Sequence, residues 1–186
     1  MSIRKVLLGI ICVLGLATFL NFQSTKANYQ EKRSEMLSFV EETNSFEHNE
    51  IQCMALNLYH EARNESLAGQ MAVNHVVLNR RDSELFPNTV CDVVLESREY
   101  HRDGTPVKNR CQFSWYCDGM PDTVKNRKVY DEIVELSRNM YYNYNQMVDV
   151  TEGSLFYHAI YIKPPRWAQE KYKVVTIDNH IFYEKI

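Results

Sequence analysis

Glu61 is the residue of this sequence best placed for acid–base chemistry. It stands in Leu56-Asn57-Leu58-Tyr59-His60-Glu61-Ala62-Arg63-Asn64-Glu65, which reads as a helix burying Met54, Leu58 and Ala62 on one face. Seven residues after Met54 and three after Leu58, Glu61 projects close to that apolar face. Asn64-Glu65-Ser66 is a helix stop, which puts Glu61 in the last turn beside the carbonyl end of the helix dipole. That partial negative charge and partial burial both disfavour the carboxylate. A carboxyl group still protonated near neutral pH is a general acid. The competing structural role is an ion pair with Arg63 or Arg80 that holds two helices together.

Other residue types offer less. His60-Glu61 lacks the second histidine of a zinc-protease helix, because Asn64 occupies that place. Cys53, Cys91, Cys111 and Cys117 are an even set that can pair as disulfides in three ways. Zinc is the alternative for Cys111 and Cys117, but no second close Cys/His pair follows at finger spacing. No metal and no cofactor are expected. A thiol nucleophile, Cys111 with His158, is a further alternative. Gln112-Phe113-Ser114-Trp115-Tyr116 mixes hydrogen-bonding groups with aromatic rings, and Tyr157, His158, Tyr161 and Trp167 form a second such cluster. Such mixtures suit sugars, which present apolar faces edged with hydroxyls. Each ring taken singly fits a plain core position as well. A second carboxylate for glycoside hydrolysis would be Glu65 or Asp118, although Asp118-Gly119 also reads as a turn.

The elements that must position these groups are mainly helical. Ser66 caps a second helix, Leu67 to Arg80, whose apolar pattern is interrupted by Asn74 and His75. Pro87-Asn88-Thr89 caps a short helix, Val90 to Glu96, and Arg98 to Arg110 is a charged loop. Asp122 or Thr123 caps the longest helix, to about Tyr144, with Val129, Ile133, Leu136 and Met140 inward. After Gly153 the pattern turns to strands: Leu155 to Ala159, Lys173 to Ile177 and His180 to Tyr183, with Asp178-Asn179 as a two-residue hairpin turn. The fold class is α+β, mainly helical, with a small antiparallel sheet near the C-terminus.

The 186 residues suffice for one domain with a real core, and 45% apolar and 24% charged residues are ordinary for a globular chain. Arg4 and Lys5 precede Val6 to Leu20, a charge-free run too short for a comfortable span. With Thr25-Lys26-Ala27 as the cut site, residues 1–27 read as an export signal, cleaved or retained as an inner-membrane anchor. Residues 28–49 read as a polar spacer and 50–186 as the functional domain. Cleavage would remove Arg4, Lys5 and Lys26 and take the net charge from −3 to −6, which argues against a nucleic-acid binder.

Three blocks in order carry a resemblance. They are Cys53 to Arg80, with His60-Glu61-Ala62-Arg63-Asn64-Glu65 and Val76-Val77-Leu78-Asn79-Arg80; Cys111-Gln112-Phe113-Ser114-Trp115 with Cys117-Asp118-Gly119; and Phe156-Tyr157-His158-Ala159 through Pro165-Arg166-Trp167-Ala168 to His180-Ile181-Phe182-Tyr183. Together they resemble the spore-cortex-lytic (SleB/CwlJ-type) cell-wall hydrolase family. The resemblance implies a lysozyme-like, lytic-transglycosylase-like domain with Glu61 as the acid. It also implies that Gln112, Phe113, Ser114, Trp115, Tyr157, His158 and Trp167 line the substrate groove. The expectation is an exported monomer, periplasmic or extracellular, that cleaves peptidoglycan glycan strands after N-acetylmuramic acid in phage lysis or wall remodelling. A non-catalytic wall-binding protein and a thiol-dependent amidase or peptidase are the alternatives.

Overall fold

The computed structural model describes the backbone of residues 3–184 and the side chains of residue 23 and residues 28–184. The expected export segment, residues 1–27, lies outside the described side chains apart from Gln23. Two compact units divide the chain, Met1–Phe46 and Glu47–Ile186. Helix α1 runs from Ile3 to Ala62, so the expected spacer is helical. Residues 28–50 contain neither proline nor glycine, and nothing local interrupts the helix there. In the first unit Tyr29, Met36, Leu37, Phe39, Val40 and Phe46 are exposed. Among the described residues no helix is long and apolar enough to cross a membrane.

In the second unit the last turns of α1 bury Ile51, Met54, Ala55, Leu58 and Ala62. Helix α2 (Leu67–Arg81) starts at Ser66, whose hydroxyl accepts the Gly69 N–H at 3.3 Å. Asn74 and His75 do not break its buried face, as the expected periodicity had them do; both are fully buried, Asn74 donating to the Ser137 hydroxyl at 3.3 Å. Helix α3 (Val90–Val94) is capped by Thr89, and the Glu50 carboxylate accepts the N–H groups of Val90 and Cys91 at 2.6 and 3.1 Å. It stops short of Glu96 because Ser97 pairs with Cys111 in an isolated bridge, turning the chain away.

Helix α4 (Arg127–Asn143) begins later than expected. Its cap is Asn126, not Asp122 or Thr123. The Tyr59 hydroxyl of α1 accepts the N–H groups of Lys125 and Asn126 at 3.1 and 3.0 Å, which fixes the start by a tertiary contact. Ile133 and Met140 are buried, and Val129 and Leu136 pack beside them. Strands β1 (Phe156–Ala159), β2 (Lys173–Ile177) and β3 (His180–Tyr183) form an antiparallel sheet in the order β1-β3-β2. Asp178, at φ 49°, turns the β2–β3 hairpin. The α+β, mainly helical fold with a small C-terminal sheet is therefore as the sequence reads.

The hairpin is clamped to the start of α2. Asp178 accepts from the Ser66 N–H at 2.9 Å and the Ser66 hydroxyl at 2.5 Å. Glu65 accepts from the Asn179 backbone and side chain at 3.2 and 3.1 Å. Gly69 makes this docking possible, because a Cβ there would meet the Asp178 carboxylate and the Glu65 Cβ. The cysteines pair as Cys53–Cys91, tying α1 to α3, and Cys111–Cys117, closing the aromatic loop.

Candidate active site

The end of α1 supplies Glu61, and the sheet supplies what it touches. A cleft of about 440 Å³ is lined by His60 and Glu61 from α1, Arg80 from α2, the loop from Gln112 to Trp115 with Asp118, Tyr157 and His158 from β1, Tyr161 and Trp167 beyond it, and His180 from β3. The Tyr157 hydroxyl donates to Glu61 Oε2 at 3.0 Å. Burial holds the Glu61 carboxyl above its ordinary proton affinity, opposed by the Tyr157 hydrogen bond and by the charge of Arg80. Burial also pushes the Tyr157 hydroxyl well above the usual tyrosine value, so it remains a donor.

The competing ion-pair role for Glu61 is not what the residues do. Arg63 donates to its own helix at Tyr59 O, 3.0 Å away, and lies over the Tyr59 ring. Arg80 donates to Leu155 O at 2.7 Å. Among the described residues Glu61 enters no salt bridge. Glu65 turns away to the hairpin, whereas Asp118 stays on the cleft wall, its Oδ1 accepting the Met120 N–H at 2.7 Å.

The aromatic loop is fixed at three points. Trp115 Nε1 donates to Asn57 Oδ1 of α1 at 2.9 Å, its indole stacks on the His60 ring at 4.7 Å, and Cys111–Cys117 closes the ends. Phe113, Trp115 and His158 are buried, so they are core as well as wall. His158 Nε2 and the Tyr183 hydroxyl lie 3.0 Å apart, and Trp167 packs edge-on against both rings. Gln112, Ser114, Tyr157 and Trp167 keep accessible surface in the cleft. All seven residues expected in a groove thus share one cleft with Glu61.

Both cysteine pairs are oxidised, which removes Cys111 as a nucleophile and as a zinc ligand. Among the described residues no group of three or more His, Cys, Asp or Glu is arranged to hold a metal. Sequence reasoning missed Arg80 and His180 as cleft residues. Burial lowers the proton affinity of His180 and His60, with Glu65 and Asp178 opposing for His180 and Asp122 opposing for His60. Nothing in the local sequence marks His180 apart from its alternation in β3.

A family model described as Cell Wall Hydrolase matches residues 64–183, beginning three residues after Glu61. The chain belongs to the cell wall hydrolase family. Spore cortex-lytic enzymes from Bacillus cereus and Bacillus subtilis strain 168 are 29% and 30% identical to it over 139 residues each, 75% of this chain. The cell wall hydrolase chain spans less than half the length of these relatives, 46% and 39%. Two solved structures share its fold with a TM-score of 0.53: the catalytic domain of SleB from Bacillus cereus, and that of the germination-specific lytic transglycosylase SleB from Bacillus anthracis. They are 30% and 29% identical, each match covers 73% of this chain, and it covers 90% and 94% of theirs. The mainly helical α+β architecture is accordingly the lysozyme-like one of these catalytic domains.

Proposed function

We propose that this chain is an exported lytic transglycosylase that cuts the β-1,4 bond after N-acetylmuramic acid in peptidoglycan. The observation that carries the reading is Glu61: a half-buried carboxyl on the cleft wall, held above its ordinary proton affinity by burial and hydrogen-bonded by Tyr157. Glu61 gives its proton to the glycosidic oxygen as the C1–O bond breaks. The 6-hydroxyl oxygen of the same sugar then bonds to C1, and its proton passes to the Glu61 carboxylate. The cycle returns the acid and consumes no water. Glu65, engaged by Asn179, takes no part. The relatives named as spore cortex-lytic enzymes, and the neighbour named as a lytic transglycosylase, support the same reading.

A second reading is favoured by Asp118, which shares the cleft. Two carboxylates flanking the bond would hydrolyse it and leave a reducing end. Mass analysis of fragments released from purified peptidoglycan decides between them. The anhydro product is lighter by one water, and its absence in favour of reducing ends would assign hydrolysis. No soluble fragments at all would leave a wall-binding protein.

A further inference from the structure

The cleft that Glu61 lines also holds, among the described residues, a cation with no anion in contact. Arg80 is 5% exposed, and its Nε donates to Leu155 O at 2.7 Å. Its guanidinium carbon lies 4.9, 5.1 and 5.5 Å from the ring centres of Phe86, Phe113 and Phe156. Nη1 is buried without an acceptor, and Arg80 enters no salt bridge among the described residues. Glu96 is close enough for its charge to act on Arg80, and its Oε2 is likewise buried without a donor. The Glu96 carbonyl accepts the Gln112 N–H at 2.9 Å, which ties it to the cleft loop. A buried arginine without an ion pair is costly to keep. Three rings and a carbonyl nevertheless fix its position, which is the arrangement of a charge that acts at a distance.

We propose that Arg80 and Glu96 are positioning residues for proton transfer at Glu61. The buried cation favours the glutamate's carboxylate once the proton has left. Glu96 offsets enough of that charge for the proton to be held beforehand. Neither residue gains or loses a proton in the cycle. The inference rests on Glu61 being the acid and base.

The charges around Glu61 agree with this assignment. Arg80 opposes the burial of Glu61, and Glu61, Glu96 and Tyr157 each act in turn on Arg80. Burial lowers Arg80 only to about 10, so it is a cation at neutral pH. Burial raises Glu96, with Arg80 and Arg98 opposing. Tyr157 from β1 is a neutral donor, and burial keeps His60 from α1 and His180 from β3 uncharged near neutral pH. His158 from β1, Tyr161 beyond it and Asp118 from the cleft loop complete the titratable lining among the described residues. Arg80 from α2, with Glu96 and Arg98 beyond α3, supplies the charge behind the acid.

The test is the pH profile of initial rate on purified peptidoglycan, measured with the full chain. Activity of a general acid falls on the alkaline side as the proton is lost. Glu96→Gln should move that limb to lower pH by roughly 0.5–1.5 pH units, since removing the counter-charge strengthens the field of Arg80 at Glu61. Arg80→Gln should move it the other way and lower the maximal rate. Arg80→Lys, which keeps the charge, should restore the limb. A carbon-13 NMR titration of the Glu61 carboxyl should show the same opposite shifts without relying on turnover. Should the Arg80 variants not fold, Glu96→Gln alone decides. An inactive Glu61→Gln variant with an unmoved limb and an unmoved NMR midpoint in Glu96→Gln overturns the inference and leaves the acid assignment standing. An active Glu61→Gln variant overturns the acid assignment and the inference with it.

Discussion

A carboxyl group held half out of water is a poor carboxylate, and Glu61 bears that cost for as long as it is ionised. Its folded proton affinity is raised. The stability it contributes is therefore complete below the unfolded value of 4.5 and is lost as pH rises through the folded value. Glu61→Gln keeps the shape and still accepts the Tyr157 hydroxyl, but has no proton to give. Peptidoglycan cleavage should fall by about 10²–10⁴, while Tm above the folded value should rise by roughly 2–4 °C for each 1 kcal/mol of relieved burial. Gain of stability with loss of rate is the signature of a strained functional group; unchanged cleavage refutes the assignment. The place of Glu61, though not its role, was legible in the sequence because helical spacing sets it beside the apolar stripe of Met54, Leu58 and Ala62. Arg80 was not, because a charged residue near a helix end normally reaches water. Only the three phenyl rings gathered around it, two of them (Phe113 and Phe156) from distant parts of the chain, show otherwise.

Elements were legible where their signals are local. Ser66, Thr89 and the three strands with their Asp178-Asn179 turn all read correctly, because caps, turns and β-forming runs act within a few residues. The start of α4 did not, since Tyr59, 67 residues earlier than Asn126, takes up the N–H groups just before the helix. The hairpin clamp at α2 shows the same dependence on distant partners and yields a test. Gly69 sits in the first turn of α2, where alanine would ordinarily gain about 1 kcal/mol of helix propensity. Here the added Cβ would strike the Asp178 carboxylate and stand 2.9 Å from the Glu65 Cβ. Asp178 cannot withdraw without breaking both bonds to Ser66. The clash should win, and Gly69→Ala should destabilise by about 1–3 kcal/mol in chemical denaturation. Adding Asp178→Ala should remove the part of that penalty due to its carboxylate in a double-mutant cycle, leaving the part due to the Glu65 Cβ. An additive pair would mean that the hairpin does not press on Gly69.

Across the whole of the second unit, buried histidines set the response to acid. His75 is fully buried and His180 is 3% exposed; burial lowers both, although Asp149, 3.6 Å from His75 Nδ1, pulls the other way. Unfolded histidines take protons near pH 6.5, while the folded ones resist until lower pH. Below 6.5 the unfolded state therefore binds more protons, and stability falls as pH falls. Asp149 and Asp178, both held below the ordinary value of 3.8, add a further loss at lower pH still. Glu61 acts in the opposite sense, because acidification restores the proton it prefers when folded. Each net proton changes stability by about 1.4 kcal/mol per pH unit, so unfolding between pH 7.5 and 5.5 should lose roughly 1–3 kcal/mol. Trp115 and Trp167, the two tryptophans of the chain, both lie in this unit, and their fluorescence in urea reports it selectively. In the Glu61→Gln background the opposing proton is gone, and the acid loss should be steeper than in the wild type. A stability unchanged across that range, or a shallower loss in the variant, would show that the burial of these groups does not govern how the fold meets acid.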